Sequence, residues 1–203
     1  MSGKNPESVV TSAHSYWLDV HFVSSKLSSS NPSLRVRWTS PSHPVVKVNC
    51  DACYDVNSGT ADVGICIRDE EGLILGAMSM KVLHVASPFA AEAYAVVHGL
   101  RFAWDLGFPA IEVASDSRSV ITKLNSSMHD RSNISTLIRE VKSFSGKFVS
   151  VSYLFSPRES NRVAHALAHL CRTLPEDGFW VEDAPPSIVE LIDADRRWFS
   201  DRH

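Results

Sequence analysis

The stretch "SPFAAEAYAVVHGLRFAWDLG", Ser87 to Gly107, constrains the fold more than any other, because it reads as a helix bounded at both ends. Ser87 supplies a side-chain oxygen for the first orphan amides, Pro88 suits the first helical position, and Gly107 permits the turn that stops the helix. Phe89, Ala93, Val96, Val97 and Leu100 recur at helical spacing, so one face needs cover. The preceding chain has a different period. Val46, Val48 and Cys50 alternate with Val45, Lys47, Asn49 and Asp51, as in a strand with one polar face that finishes at Asp51. "ADVGICIRDEEGLILGAMSMKV" gives two further strands joined at Asp69, Glu70, Glu71 and Gly72, residues suited to a hairpin turn.

After the helix, "AIEVASDS" predicts a fourth strand, and Ser117 or Ser119 is placed to cap a helix through Val120, Ile121 and Leu124. A further helix is expected from Ile134 to Phe144. "FVSVSYLF" alternates as a fifth strand, and "NRVAHALAHLCR" has helical spacing. No internal repeat is present. Upstream, Val9, Val10, Ala13, Tyr16, Trp17 and Val20 predict a short amphipathic helix. "SSSNPS" and "SPSHP" are linker-like. The expected organisation is an N-terminal extension over 1–27, a linker over 28–44, a main domain over 45–172 and a C-terminal tail over 173–203.

With 203 residues and 44% hydrophobic side chains, the chain has the material for a packed core. Its formal charge of -3 gives no global basic field, so a polyanion must be held by a local site. No apolar run approaches the roughly 20 residues that span a bilayer, and the N-terminus lacks a secretion-signal pattern. The expectation is a non-secreted, intracellular protein, nuclear or cytoplasmic, with no membrane partner. Four cysteines do not make a disulfide framework at this length and are expected as thiols.

Three acidic residues are poorly explained by solubility. Asp51 and Asp116 end predicted strands, and Glu92 lies one turn inside the helix near its apolar face, where a charge is costly without a partner. If the first and fourth strands are neighbours and the helix crosses them, the three carboxylates converge. A hard divalent cation, Mg²⁺ or Mn²⁺, would relieve their repulsion.

The ordered set "VKVNCDA", "AAEAYAVVHGL", "VASDS" and "PRESNRVAHALA" resembles the type 1 ribonuclease H domain. The likeness is to the variant at the C-terminal end of plant non-LTR retrotransposon polyproteins and in stand-alone plant proteins derived from them. It covers about Val45 to Arg172. The resemblance implies an α/β, ribonuclease H-like fold: a mixed five-stranded sheet, three antiparallel strands then two parallel to the first, with helices on both faces. It implies endonucleolytic hydrolysis of the RNA strand of an RNA/DNA hybrid by a monomer using two metal ions about 4 Å apart. Asp51 would bridge both ions, with Glu92 and Asp116 completing the first site.

The sequence leaves the family's pattern at two positions. The fourth acid falls on His165, which weakens the second metal site because imidazole suits softer ions than Mg²⁺. The family's mobile catalytic histidine falls on Phe155, which cannot transfer a proton. These departures define two rival readings: a catalytically weakened or inactive nucleic-acid binding module, and an interaction domain that uses the N-terminal helix and keeps a vestigial site. Arg158, Arg162 and Lys123 are the candidate phosphate contacts, and "RVRWTS" mixes basic and aromatic groups that suit a strand of nucleic acid or pack Trp38 onto the domain. "CDAC" has redox or zinc spacing, but it lies on a strand and lacks a matching second pair. "HALAH" sets two histidines on one helix face, with Ala166 where a zinc protease needs its glutamate.

Overall fold

The first strand does not stop at the carboxylate. In the computed structural model, which describes residues 37–128 and 130–200, β1 runs Val46–Asp55 and pairs antiparallel with β2, Thr60–Arg68. Its parallel pairing with β4, Ala110–Ser115, ends at Cys50 opposite Ser115. Asp51 therefore lies where the neighbouring strand ends, inside its own strand, because the hairpin with β2 carries β1 onward. β3, Ile74–Val82, follows through a turn in which Asp69 Oδ1 accepts from the amides of Glu71 and Leu73. β5, Ser150–Phe155, lies parallel to β4.

The helices follow the sequence periodicity. α1, Pro88–Asp105, is capped by Ser87 Oγ, which accepts from the Ala90 amide at 3.1 Å. α2 spans Arg118–Asn125, α3 Ser135–Ser145 and α4 Arg162–Leu170. Alternation along β2 separates two cores. Ile65 and Ile67 join Val96 and Leu100 of α1 and Ile138 of α3 on one face, while Cys66 meets Val163 and Leu167 of α4 on the other.

The sheet has six strands rather than the expected five, in the order β5-β4-β1-β2-β3-β6. The added β6, Gly178–Val181, pairs antiparallel with β3. Four residues are too few to establish a period. The segment expected as a tail also forms α5, Pro186–Ser200, whose Ile188 and Ile192 enter the second core. At the other boundary, Trp38 is only 4% exposed and donates Nε1–H to Asn49 Oδ1 at 2.9 Å. Part of the expected linker thus covers β1.

That contact corrects the polar-face reading of β1: Lys47, Asn49 and Asp51 are all buried. Their polar groups are satisfied internally, as burial demands. Lys47 Nζ lies 2.7 Å from Glu112 Oε1, and Asn49 Nδ2 donates to Asn161 Oδ1 at 3.0 Å. The helix expected within residues 1–27 lies outside the described residues. No described helix is long and apolar enough to cross a membrane, and all four cysteines are free thiols.

Candidate active site

Three separate elements bring the carboxylates together. Asp51 comes from β1, Asp116 follows β4 directly, and Glu92 sits in the first turns of α1; an oxygen from each lies within 4.8 Å of the others. Close packing makes this convergence possible. A Cβ at Gly99 would lie 2.6 Å from Cys50 Sγ, so α1 approaches β1 more closely than a side chain would allow. On the other face, a Cβ at Gly64, which pairs with Asp51, would lie 2.1 Å from the Ala164 carbonyl oxygen. That approach places His165 of α4 over Asp51.

His165 Nδ1 is 2.7 Å from Asp51 Oδ2, and Arg158 Nη2 is 2.9 Å from His165 Nε2. Since arginine only donates, Nε2 accepts and the ring proton resides on Nδ1, from which it is donated to Asp51. Asn161 fixes this arrangement. Its Nδ2 donates to the Cys50 carbonyl at 2.9 Å, fastening the start of α4 to β1 one residue before Asp51.

The electrostatics fit a hard cation. Burial, then the charges of Asp51 and Asp116, hold the Glu92 carboxyl well above the usual carboxylate range. Burial also raises Asp116, with Asp51 adding its charge and a shared hydrogen bond, so that this carboxyl is pushed up to about 7. Glu92 Oε2 is buried with no hydrogen-bond partner among the described residues. An oxygen-only set that repels itself and leaves one oxygen unsatisfied suits Mg²⁺ or Mn²⁺.

The expected phosphate contacts separate. Arg158 lies at the site, on His165. Arg162 Nη2 instead pairs with Asp195 Oδ1 at 3.0 Å, and Lys123 Nζ with Asp130 Oδ1 at 2.9 Å. Phe155 is the last residue of β5, beneath the Arg118 guanidinium at 3.9 Å from its ring centre. Arg118, two residues beyond Asp116, is an exposed cation that the sequence reading passed over. Its signal was proximity to the "SDS" motif.

A six-stranded mixed sheet with helices on both faces and three carboxylates at the end of its central parallel pair defines a ribonuclease H-like protein. Residues 49–171 match the profile described as reverse transcriptase-like, and the chain belongs to that family. An Arabidopsis thaliana protein named for ribonuclease H is 33% identical over 157 residues, covering 77% of this chain. The chain spans 25% of that relative's length. Ribonuclease H1 of Halobacterium salinarum superposes with a TM-score of 0.58 at 26% identity, over 63% of this chain and 97% of the other. The LC11 ribonuclease H1, solved in complex with an RNA/DNA hybrid, shares the fold with a TM-score of 0.54 at 20% identity, over 60% and 92% of the two chains.

Proposed function

We propose that this protein is a metal-dependent endonuclease that hydrolyses the RNA strand of RNA/DNA hybrids. The observation carrying this reading is the convergence of Asp51, Glu92 and Asp116, with an orphaned Glu92 oxygen and mutually raised carboxyls. These three residues would hold the first divalent cation. When bound, two such ions supply an activated water and charge stabilisation for the leaving oxygen.

The chain's own groups do the positioning. His165 orients Asp51 through its Nδ1 proton. Arg158 and Arg118 offer exposed guanidinium groups to the phosphates beside the cleaved bond. Selection of a hybrid would rest on its shape and the RNA 2′-OH rather than on base sequence. The reading is tested with end-labelled hybrid beside duplex DNA and duplex RNA of the same sequence. Shortening of RNA only in the hybrid, dependent on Mg²⁺ or Mn²⁺, is expected; equal cutting of all three would overturn it.

If His165 Nε2 serves as the fourth ligand, where the family resemblance places an acid, Mn²⁺ should be the better cofactor, because imidazole is softer than a carboxylate. His165→Asp should therefore raise the Mg²⁺-supported rate several-fold and narrow the difference between the two metals. An unchanged ratio of Mn²⁺ to Mg²⁺ rates would remove His165 from the second site. Phe155 favours the rival reading of a hybrid-binding module, since no proton-transfer group occupies its place. Retained hybrid binding without cleavage in either metal would favour that reading.

Asp116 gives a pH-dependent test. Its folded carboxyl is raised to about 7 from an ordinary value near 4. In the metal-free protein it thus subtracts stability as pH rises through that interval, and the loss is complete above it. Asp116→Asn should melt a few degrees above the metal-free wild type at pH 8 and close to it at pH 4. Saturating Mn²⁺ should remove the advantage at pH 8. A variant less stable than wild type at pH 8 would contradict mutual repulsion in the triad.

A further inference from the structure

A second ligand cluster adjoins the acids and has different chemistry. Cys53 lies two residues beyond Asp51 on the same face of β1, and His165 and His169 lie one helical turn apart on α4. One ligand atom from each of the three lies within 4.8 Å of the others. The two imidazole rings meet edge to face with centroids 4.4 Å apart. Neither "CDAC" nor "HALAH" is a metal motif alone. The fold joins one cysteine of the first to both histidines of the second.

We propose that Cys53, His165 and His169 form a binding site for a soft divalent cation of the zinc class, with water as its fourth ligand. Zinc takes thiolate and imidazole ligands at about 2.0–2.3 Å in a tetrahedron. The present spacing closes to that geometry by rotation of Cys53, which is half-buried, and His169, which is exposed. His165 is already oriented for the task. With its Nδ1 proton donated to Asp51, Nε2 is the nitrogen left for the ion, the carboxylate–histidine arrangement that supports zinc ligands. The exposed Arg158 is the group the ion displaces from Nε2. On binding, the Cys53 S–H bond gives its proton to solvent, and the thiolate sulfur donates its electron pair to the cation.

The donor types separate this site from the acid triad. Sulfur and nitrogen select a soft ion, whereas the neighbouring oxygen-only set selects a hard one. The site does not depend on hybrid cleavage. It deepens the meaning of His165, which then stands between a hard-cation cluster and a soft-cation cluster.

The test is titration of the metal-free full chain with Co²⁺ as a spectroscopic substitute for Zn²⁺. One equivalent should produce a thiolate-to-cobalt charge-transfer band and the absorption of a tetrahedral centre, both abolished by competing Zn²⁺. Cys53→Ser should lose the charge-transfer band. His169→Ala should weaken Zn²⁺ affinity by at least about tenfold, the lower end for disturbing even an outer partner of a metal site. Glu92→Gln should leave the band in place, because Glu92 belongs to the other cluster. Absence of the band in the wild type would overturn the proposal, as would a band of full intensity in Cys53→Ser. Wild type that shows the cobalt band but leaves the hybrid RNA uncut in Mg²⁺ and Mn²⁺ would count against the nuclease reading alone.

Discussion

Asp51→Asn should lower hybrid cleavage by roughly a hundredfold to a thousandfold while leaving the protein folded. Metal-assisted stabilisation is worth several kcal/mol, and each 1.36 kcal/mol is a factor of ten in rate. The fold should tolerate the change. Asp51 pairs with Gly64 through backbone groups, and an asparagine oxygen still accepts the Nδ1 proton of His165. Removing one charge also relaxes the Glu92 and Asp116 carboxyls, both raised first by burial and then by the charge of Asp51. The variant's melting temperature, measured by circular dichroism without metal, should stay within a few degrees of wild type. Cleavage within tenfold of wild type would remove Asp51 from the metal site.

The second large effect concerns stability. Asp195 of α5, 3% exposed, accepts from Arg68 Nη1 and Arg162 Nη2, each at 3.0 Å. Arg68, only 1% exposed, also stacks on Trp38 with its guanidinium carbon 3.9 Å from the ring centre. One carboxylate thereby joins β2, α4, α5 and the segment before β1. Asp195→Ala would leave Arg68 buried without its counterion, an uncompensated charge that costs about 3–5 kcal/mol. For a chain of this size that is roughly a 10 °C fall in melting temperature. A loss below about 1 kcal/mol in denaturant titration would mean that water or another group replaces the pair. Because Arg162 begins α4, Asp195→Ala should also loosen the placement of His165.

The acid triad was legible because each carboxylate sits in a local pattern that predicts its element: alternation for β1, the short run "AIEVAS" for β4, and a Ser-Pro start for α1. His165 and Phe155 were legible only as departures from a resemblance. The joining of Cys53 to His165 and His169 was not legible, because it depends on Gly64 admitting α4 close to β2 from about a hundred residues away in sequence. The same limit hid Asn161 and Asp195, polar residues whose partners lie on distant elements, β1 for Asn161 and β2 and α4 for Asp195. It also hid the burial of Lys47 and Asn49. Alternation identifies two faces of a strand but does not say that Trp38 and α4 will cover the polar one.

The most direct test places wild type and Asp51→Asn in molar excess over a hybrid labelled at the 5′ end of its RNA strand, in Mn²⁺. Wild type should shorten the RNA and leave the DNA intact, while Asp51→Asn binds the hybrid and leaves both strands full length. RNA left uncut by wild type, or cut equally by the two proteins, would contradict a cation-dependent nuclease centred on Asp51.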